Sequence, residues 1–161
     1  WGSMLKDSQQ FPYPDGKEPP ESLQEVASTE KLLEQMAAAK VDGALIVQPI
    51  NYLYDHSYVA NAIRSHPTKF KGMLLHDPTM TTKVPQEAVD RLEELALQGF
   101  VGVRFNPYLW PDGIQMSEPN GSGLAVYKRC AELHMPVGVM CFKGLELHYE
   151  DILALISSSP D

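Results

Sequence analysis

Val101-Gly102-Val103-Arg104-Phe105-Asn106-Pro107 is the stretch that decides the fold. Val101 to Phe105 is short, rich in β-branched and aromatic residues, and apolar almost without a break before Asn106-Pro107 closes it. A strand with one wet face alternates apolar and polar side chains, whereas a strand covered on both faces of a parallel sheet does not. A buried parallel strand is therefore predicted, with Arg104 as the one intruder.

Three more runs follow the same plan: Ala44–Val47 before Gln48-Pro49, Gly72–Leu75 before His76-Asp77-Pro78, and Val137–Phe142 before Lys143-Gly144. With their closing residues, the predicted strands lie near 44–48, 72–76, 101–106 and 137–142. A helical apolar period follows each one, over Tyr54–Ser65, Pro85–Gln98, Gly123–His134 and His148–Ser157, the last with Ile152, Leu155 and Ile156 on one face. Pro85 suits a first helical turn and Gly99 a helix C-terminus. The strands begin about every 30 residues, the length of a βα crossover unit. Ahead of them, Ser28 suits an N-cap for a helix over 29–40 with Leu32, Leu33, Met36 and Ala37 as its stripe, ending near Asp42-Gly43. Residues 1–27 read as a long N-terminal loop, because Pro12, Pro14, Pro19, Pro20 and Gly16 block regular structure.

Alternating β and α elements fit two architectures, part of a (β/α)₈ TIM barrel or a small complete doubly wound sheet. The doubly wound fold would be favoured by a Gly-rich phosphate turn after the first strand, but Gln48-Pro49-Ile50-Asn51 stands there, and neither GxGxxG nor GxxxxGK occurs. Ser157-Ser158-Ser159-Pro160-Asp161 falls where another strand is due. The expectation is an α/β fold, a partial TIM barrel of about four βα units, read as one domain over 1–161 with the units in 28–161. Strands 44–47 and 137–142 are then open edges, to be covered by the rest of the barrel or by partner chains.

The 161 residues, 43% of them apolar, suffice for a core, and 13 Lys plus Arg against 21 Asp plus Glu give a net charge of −8. That balance argues against a nucleic-acid binder. No apolar run reaches the roughly 20 residues of a membrane span. Cys130 and Cys141 are too few for a disulfide framework, so a soluble protein of a reducing compartment, cytoplasm or organelle lumen, is expected. Trp1-Gly2-Ser3 has neither an initiator Met nor a targeting pattern, and reads as a vector scar at Gly2-Ser3-Met4 or as a start in mid-protein.

Both architectures place chemistry at the carboxyl ends of parallel strands. Arg104 is the sharpest candidate there: a guanidinium in an apolar strand needs a bidentate anion, either a substrate carboxylate or phosphate or an internal carboxylate such as Asp77. Lys143 suits a substrate anchor, a Schiff-base lysine if desolvated, or a strand cap reaching water. Gln48 and Asn106, each before a proline, orient a polar ligand or satisfy loop backbone groups. Of the five histidines only His76 stands at such a strand end, as a candidate ligand contact, whereas His66 and His134 suit helix ends. No HxH, HExxH, His/Cys cluster or GxSxG occurs, so no metal site and no catalytic triad is assigned. Tyr108-Leu109-Trp110-Pro111 walls a pocket or packs its loop, with packing preferred.

Val41-Asp42-Gly43-Ala44-Leu45-Ile46-Val47-Gln48-Pro49, Gly102-Val103-Arg104-Phe105-Asn106-Pro107 and Pro136-Val137-Gly138-Val139-Met140 resemble the second, fourth and fifth strands of the amidohydrolase-related barrels, the amidohydrolase family 2 group that includes 2-pyrone-4,6-dicarboxylate lactonase. Phe11-Pro12-Tyr13-Pro14 with Gly16-Lys17-Glu18-Pro19 resembles the loop after their first strand, best matched in plant and algal members. The resemblance implies a hydrolase cleaving a C–O or C–N bond in a small carboxylated substrate, with a divalent metal in many members and none required in the lactonases. It matches Arg104 to the residue that holds substrate carboxylate, and Trp1 to a Trp just after the family's His-x-His. That His pair, a later His and an Asp would fall outside this stretch, so the chain alone is expected to be inactive and to hold no cofactor. The competing expectation is a non-catalytic binding or structural subunit of a larger assembly.

Overall fold

The computed structural model describes Pro20, Ser22 and residues 28–82 and 85–159. The loop expected over 1–27 therefore lies outside the described residues, except at Pro20 and Ser22. Four parallel strands, β1 (Ala44–Val47), β2 (Phe70–Leu75), β3 (Phe100–Phe105) and β4 (Val137–Val139), form a half-barrel sheet in the order β1-β2-β3-β4. The helices are α1 (Thr29–Ala39), α2 (Ser57–Ser65), α3 (Pro85–Leu97), α4 (Ser122–Glu132) and α5 (Tyr149–Ser158). Each strand leads through one short 3₁₀ turn into the next helix, which is the alternating βα pattern of a partial TIM barrel. Packing divides the chain into two compact units, Trp1–Gly72 and Met73–Asp161.

In the first unit, Ser28 caps α1 as expected, its Oγ accepting the Lys31 N–H at 3.1 Å. The helix stops at Ala39, where Lys40 turns left-handed at φ 56°, three residues before Gly43. Met36 is the stripe residue that becomes buried, joined in the core by Tyr52, Val59, Ile63 and Phe70. His66 caps the C-terminus of α2. Leu45 and Val47 of the edge strand β1 stay exposed.

In the second unit, Leu74, Leu92, Leu95, Phe100, Val103, Phe105, Val126, Cys130 and Leu155 are buried. Arg129 of α4 reaches Glu93 of α3 at 2.7 Å. Burial pushes the Cys130 thiol up to about 12, which keeps it protonated and inert. Gly99, at φ 96°, follows α3 as its expected terminator.

The strand bounds need correction. The first ends at Val47, before Gln48; the second begins at Phe70, and the third at Phe100. The fourth is three residues rather than six. β3 and β4 pair in register from Val103↔Val137 through Phe105↔Val139, and the Met140 N–H still reaches the Phe105 carbonyl. Beyond that point β3 offers Asn106-Pro107, and Pro107 has no N–H to continue the ladder. Cys141 and Phe142 therefore leave the sheet despite their apolar character. Ile156, expected on the buried face of α5, is exposed, while Leu155 is buried.

Candidate active-site face

Consecutive strand residues point to opposite faces, so Arg104 and Phe105 open onto different surroundings. Gly102 shares the face of Arg104, as does Gly138, the register partner of Arg104 on β4. A Cβ on Gly138 would stand 3.0 Å from Met73 Cε, and one on Gly102 3.6 Å from the same atom. The Met73 methyl thus lies against both glycines, and β4 places no side chain beside Arg104. The guanidinium is half-buried, and desolvation lowers its pKa from the ordinary arginine value. Asp77, just past β2, accepts the N–H and hydroxyl of Thr79 on its Oδ1 at 2.8 and 2.7 Å.

His76 lies on the face of Phe105. Its ring packs 5.2 Å from Phe105 and 5.3 Å from Trp110, and Nε2 is 2.9 Å from Ser122 Oγ at the start of α4. Burial drives its pKa down to about 3, so the imidazole is neutral at physiological pH. A neutral ring with one nitrogen engaged to a buried hydroxyl is a tie between β2 and α4.

Tyr108 organises the strand ends. Asn106, buried at the end of β3, accepts the Tyr108 N–H on Oδ1 at 3.2 Å and thereby caps the turn Pro107–Leu109. The Tyr108 hydroxyl accepts the Lys143 N–H at 3.0 Å, and its ring packs 4.2 Å from Phe142 and 5.3 Å from His148. Lys143 is exposed, with Nζ 5.1 Å from the Tyr108 ring centroid, a cation–π contact. Arg104, Asn106 and Lys143 thus belong to the same end of the β3–β4 pair. Gln48, fully buried in the first unit, donates its amide hydrogens to the carbonyls of Leu53 and Asp55 at 3.1 and 2.8 Å, holding the β1–α2 loop.

The amidohydrolase family matches over residues 4–158. The chain belongs to that family. No curated protein sequence matches it. Among solved structures, an uncharacterised TIM-barrel protein from Bordetella bronchiseptica superposes over 99% of the chain and 57% of its own length, at 21% identity and TM-score 0.64. A probable 2-pyrone-4,6-dicarboxylic acid hydrolase from Acinetobacter baumannii, with citric acid bound, covers 82% of this chain and 56% of its own at 18% identity and TM-score 0.57. An Agrobacterium tumefaciens protein in its apo form covers 76% and 41% at 20% identity and TM-score 0.51. The chain therefore spans little more than half the length of the first two structures, and their likeness to it is one of fold.

The divalent metal implied for the family does not fit the residues in view. Among the described residues, no three His, Cys, Asp or Glu side chains stand together as a ligand set. Two residues that shape this face were not singled out from sequence. Asp151, in the first turn of α5, accepts the N–H groups of Met116 and Ser117 on its two carboxylate oxygens, each at 2.9 Å. His148 packs on Tyr108 across 40 positions of sequence. Neither sits in a local motif that would reveal it. Among the described residues no helix is long and apolar enough to cross a membrane.

Proposed function

We propose that the protein hydrolyses a C–O or C–N bond of a lactone, ester or amide in a small carboxylated substrate, with Arg104 holding the carboxylate. The supporting observation is the place of Arg104: charged, half-buried, at the carboxyl end of β3, with glycine rather than a side chain as its neighbour on β4. A desolvated guanidinium in such a position favours a bidentate carboxylate. Lys143 and Asn106 supply further contacts at the same strand ends. Family membership and the name of the Acinetobacter relative support hydrolysis. In this reading the 161 residues supply part of a pocket and are inactive alone, the rest of the barrel bringing the groups that activate water, a divalent metal among them where the full protein uses one.

The test uses 2-pyrone-4,6-dicarboxylate and its methyl esters as probes, with the chain alone and with a polypeptide carrying the remaining βα units. Activity is expected only in the complemented sample. There, Arg104→Met should lower kcat/KM for the acid by about a hundredfold, with a much smaller loss for the ester, since a hydrogen bond to a charged group contributes roughly 1.5–3 kcal/mol. Turnover by the chain alone, or equal losses for acid and ester, sinks the reading.

A second reading, a non-catalytic binding subunit, is favoured by the exposed apolar residues Phe142, Leu147 and Tyr149 next to the β4 edge. The reading frame discriminates between the two. A His-x-His before Trp1 and a strand bearing His after Asp161 mark the enzyme.

A further inference from the structure

The segment after β4 is mounted on one side chain. Tyr108, in the turn that follows β3, holds Lys143 at two points: its hydroxyl accepts the Lys143 N–H at 3.0 Å, and its ring centroid lies 5.1 Å from Lys143 Nζ. Phe142 packs on the same ring at 4.2 Å and adds a second face 5.9 Å from Nζ. Gly144 follows at φ 127°, a conformation that side chains disfavour, and a Cβ there would collide with the Glu146 carboxylate. Tyr108 is itself fixed through its own N–H, bound by Asn106 Oδ1 at the end of β3. A line of contacts therefore runs from the strand that carries Arg104 to the head of Lys143.

Packing alone does not account for this arrangement. Tyr108 is half-buried, Phe142 is 66% exposed and Lys143 is exposed, so the cluster seals little apolar surface. The chain has 21 acidic residues against 13 Lys plus Arg, yet Lys143 forms no ion pair among the described residues. A ring face restrains an ammonium without using its N–H donors, which stay available to an acceptor. A free lysine loses rotamer freedom when its head binds an anion, and a ring that already restrains it removes part of that loss.

We propose that Tyr108 is a positioning residue for substrate binding, presenting the Lys143 ammonium as a second anion contact at the strand ends that carry Arg104. Tyr108 acts through Lys143 and does not itself touch the substrate. The inference rests on the reading of these strand ends as a carboxylate site.

Protection of Lys143 from reductive methylation tests this without turnover. Benzoate is the probe and methyl benzoate its uncharged control, with Lys128 on α4 as internal reference and peptide mass spectrometry as readout. Benzoate is expected to slow methylation of Lys143 saturably and to spare Lys128, and the ester to protect neither. Tyr108→Leu should raise the midpoint of protection about fivefold, with Tyr108→Phe, which keeps the ring and loses the hydroxyl, falling between. Lack of saturable protection, equal protection by the ester, or a midpoint unchanged in every Tyr108 variant that keeps its helical circular dichroism overturns the proposal. Arg104→Met in the same assay separates this inference from the one beneath it. A midpoint moved by Tyr108→Leu and not by Arg104→Met removes Arg104 from the site and leaves Tyr108 in place, whereas the opposite pattern overturns the Tyr108 assignment alone.

Discussion

His76 and Arg104 both close apolar strands, yet one residue of phase separates their fates. Arg104 shares its face with two glycines, whereas His76 shares a face with Phe105 and is enclosed by Trp110 and Ser122. The sequence marks which residues end a strand but not which face the last one takes, because that depends on a strand boundary known only to within a residue or two. Gln48 was legible as either ligand contact or loop support, and its two bonds to the Leu53 and Asp55 carbonyls place it in the loop. The environment of His76 makes folding pH-dependent. Its folded pKa, about 3, lies below the ordinary value of 6.5. Between those values the unfolded chain takes up a proton that the folded chain refuses, so the contribution is whole above pH 6.5 and is lost as pH falls toward 3. The loss from this one group runs at roughly 1 kcal/mol per pH unit inside the window. Urea midpoints at pH 7.5 and pH 5 should therefore diverge less in His76→Gln than in the wild type. Equal pH dependence in the two proteins would show that His76 is not the buried neutral group described.

At the scale of elements, the four βα units were legible because each combines a short apolar run, a polar stop and a helical period, signals that survive without tertiary information. Where the units were misjudged, at the end of β4, the deciding fact is a partner: β3 stops offering ladder groups at Pro107. Contacts between loops are harder still to read. The β3–α4 loop is held by the Asp151 carboxylate at a separation of 34 and 35 residues, and by the close approach of α4, where a Cβ on Gly123 would collide with the Met116 carbonyl oxygen. A carboxylate accepting two backbone N–H groups of the loop acts as a clasp between it and α5. Asp151→Ala should cost about 2–3 kcal/mol in urea unfolding and raise the exchange rates of the Met116 and Ser117 amides, with Asp151→Asn, which keeps one acceptor, falling between. Unchanged exchange at those two amides would mean the loop is held by other means.

For the molecule as a whole, the open edges are the dominant physical fact. β1 and β4 end the sheet, and the strands they would pair with in a closed barrel lie outside the four described here. α5 adds a second exposed surface: Tyr149, Leu153 and Ile156, spaced four and three residues apart, form one stripe turned to solvent while Leu155 is buried. Phe142, Leu145 and Leu147 leave β4 equally exposed. Isolated apolar residues on a surface are ordinary, but a helical stripe beside a strand edge marks a face meant to be covered. Its cover can be further βα units or another chain, and either predicts that the 161 residues by themselves associate. Sedimentation velocity at high micromolar concentration should show species above the 17.9 kDa monomer. Leu153→Lys with Ile156→Glu should return the chain toward monomer without loss of helical circular dichroism, since both side chains are exposed. A wild-type chain that stays monomeric would remove the stripe as an interface and leave the exposed face a surface without a partner.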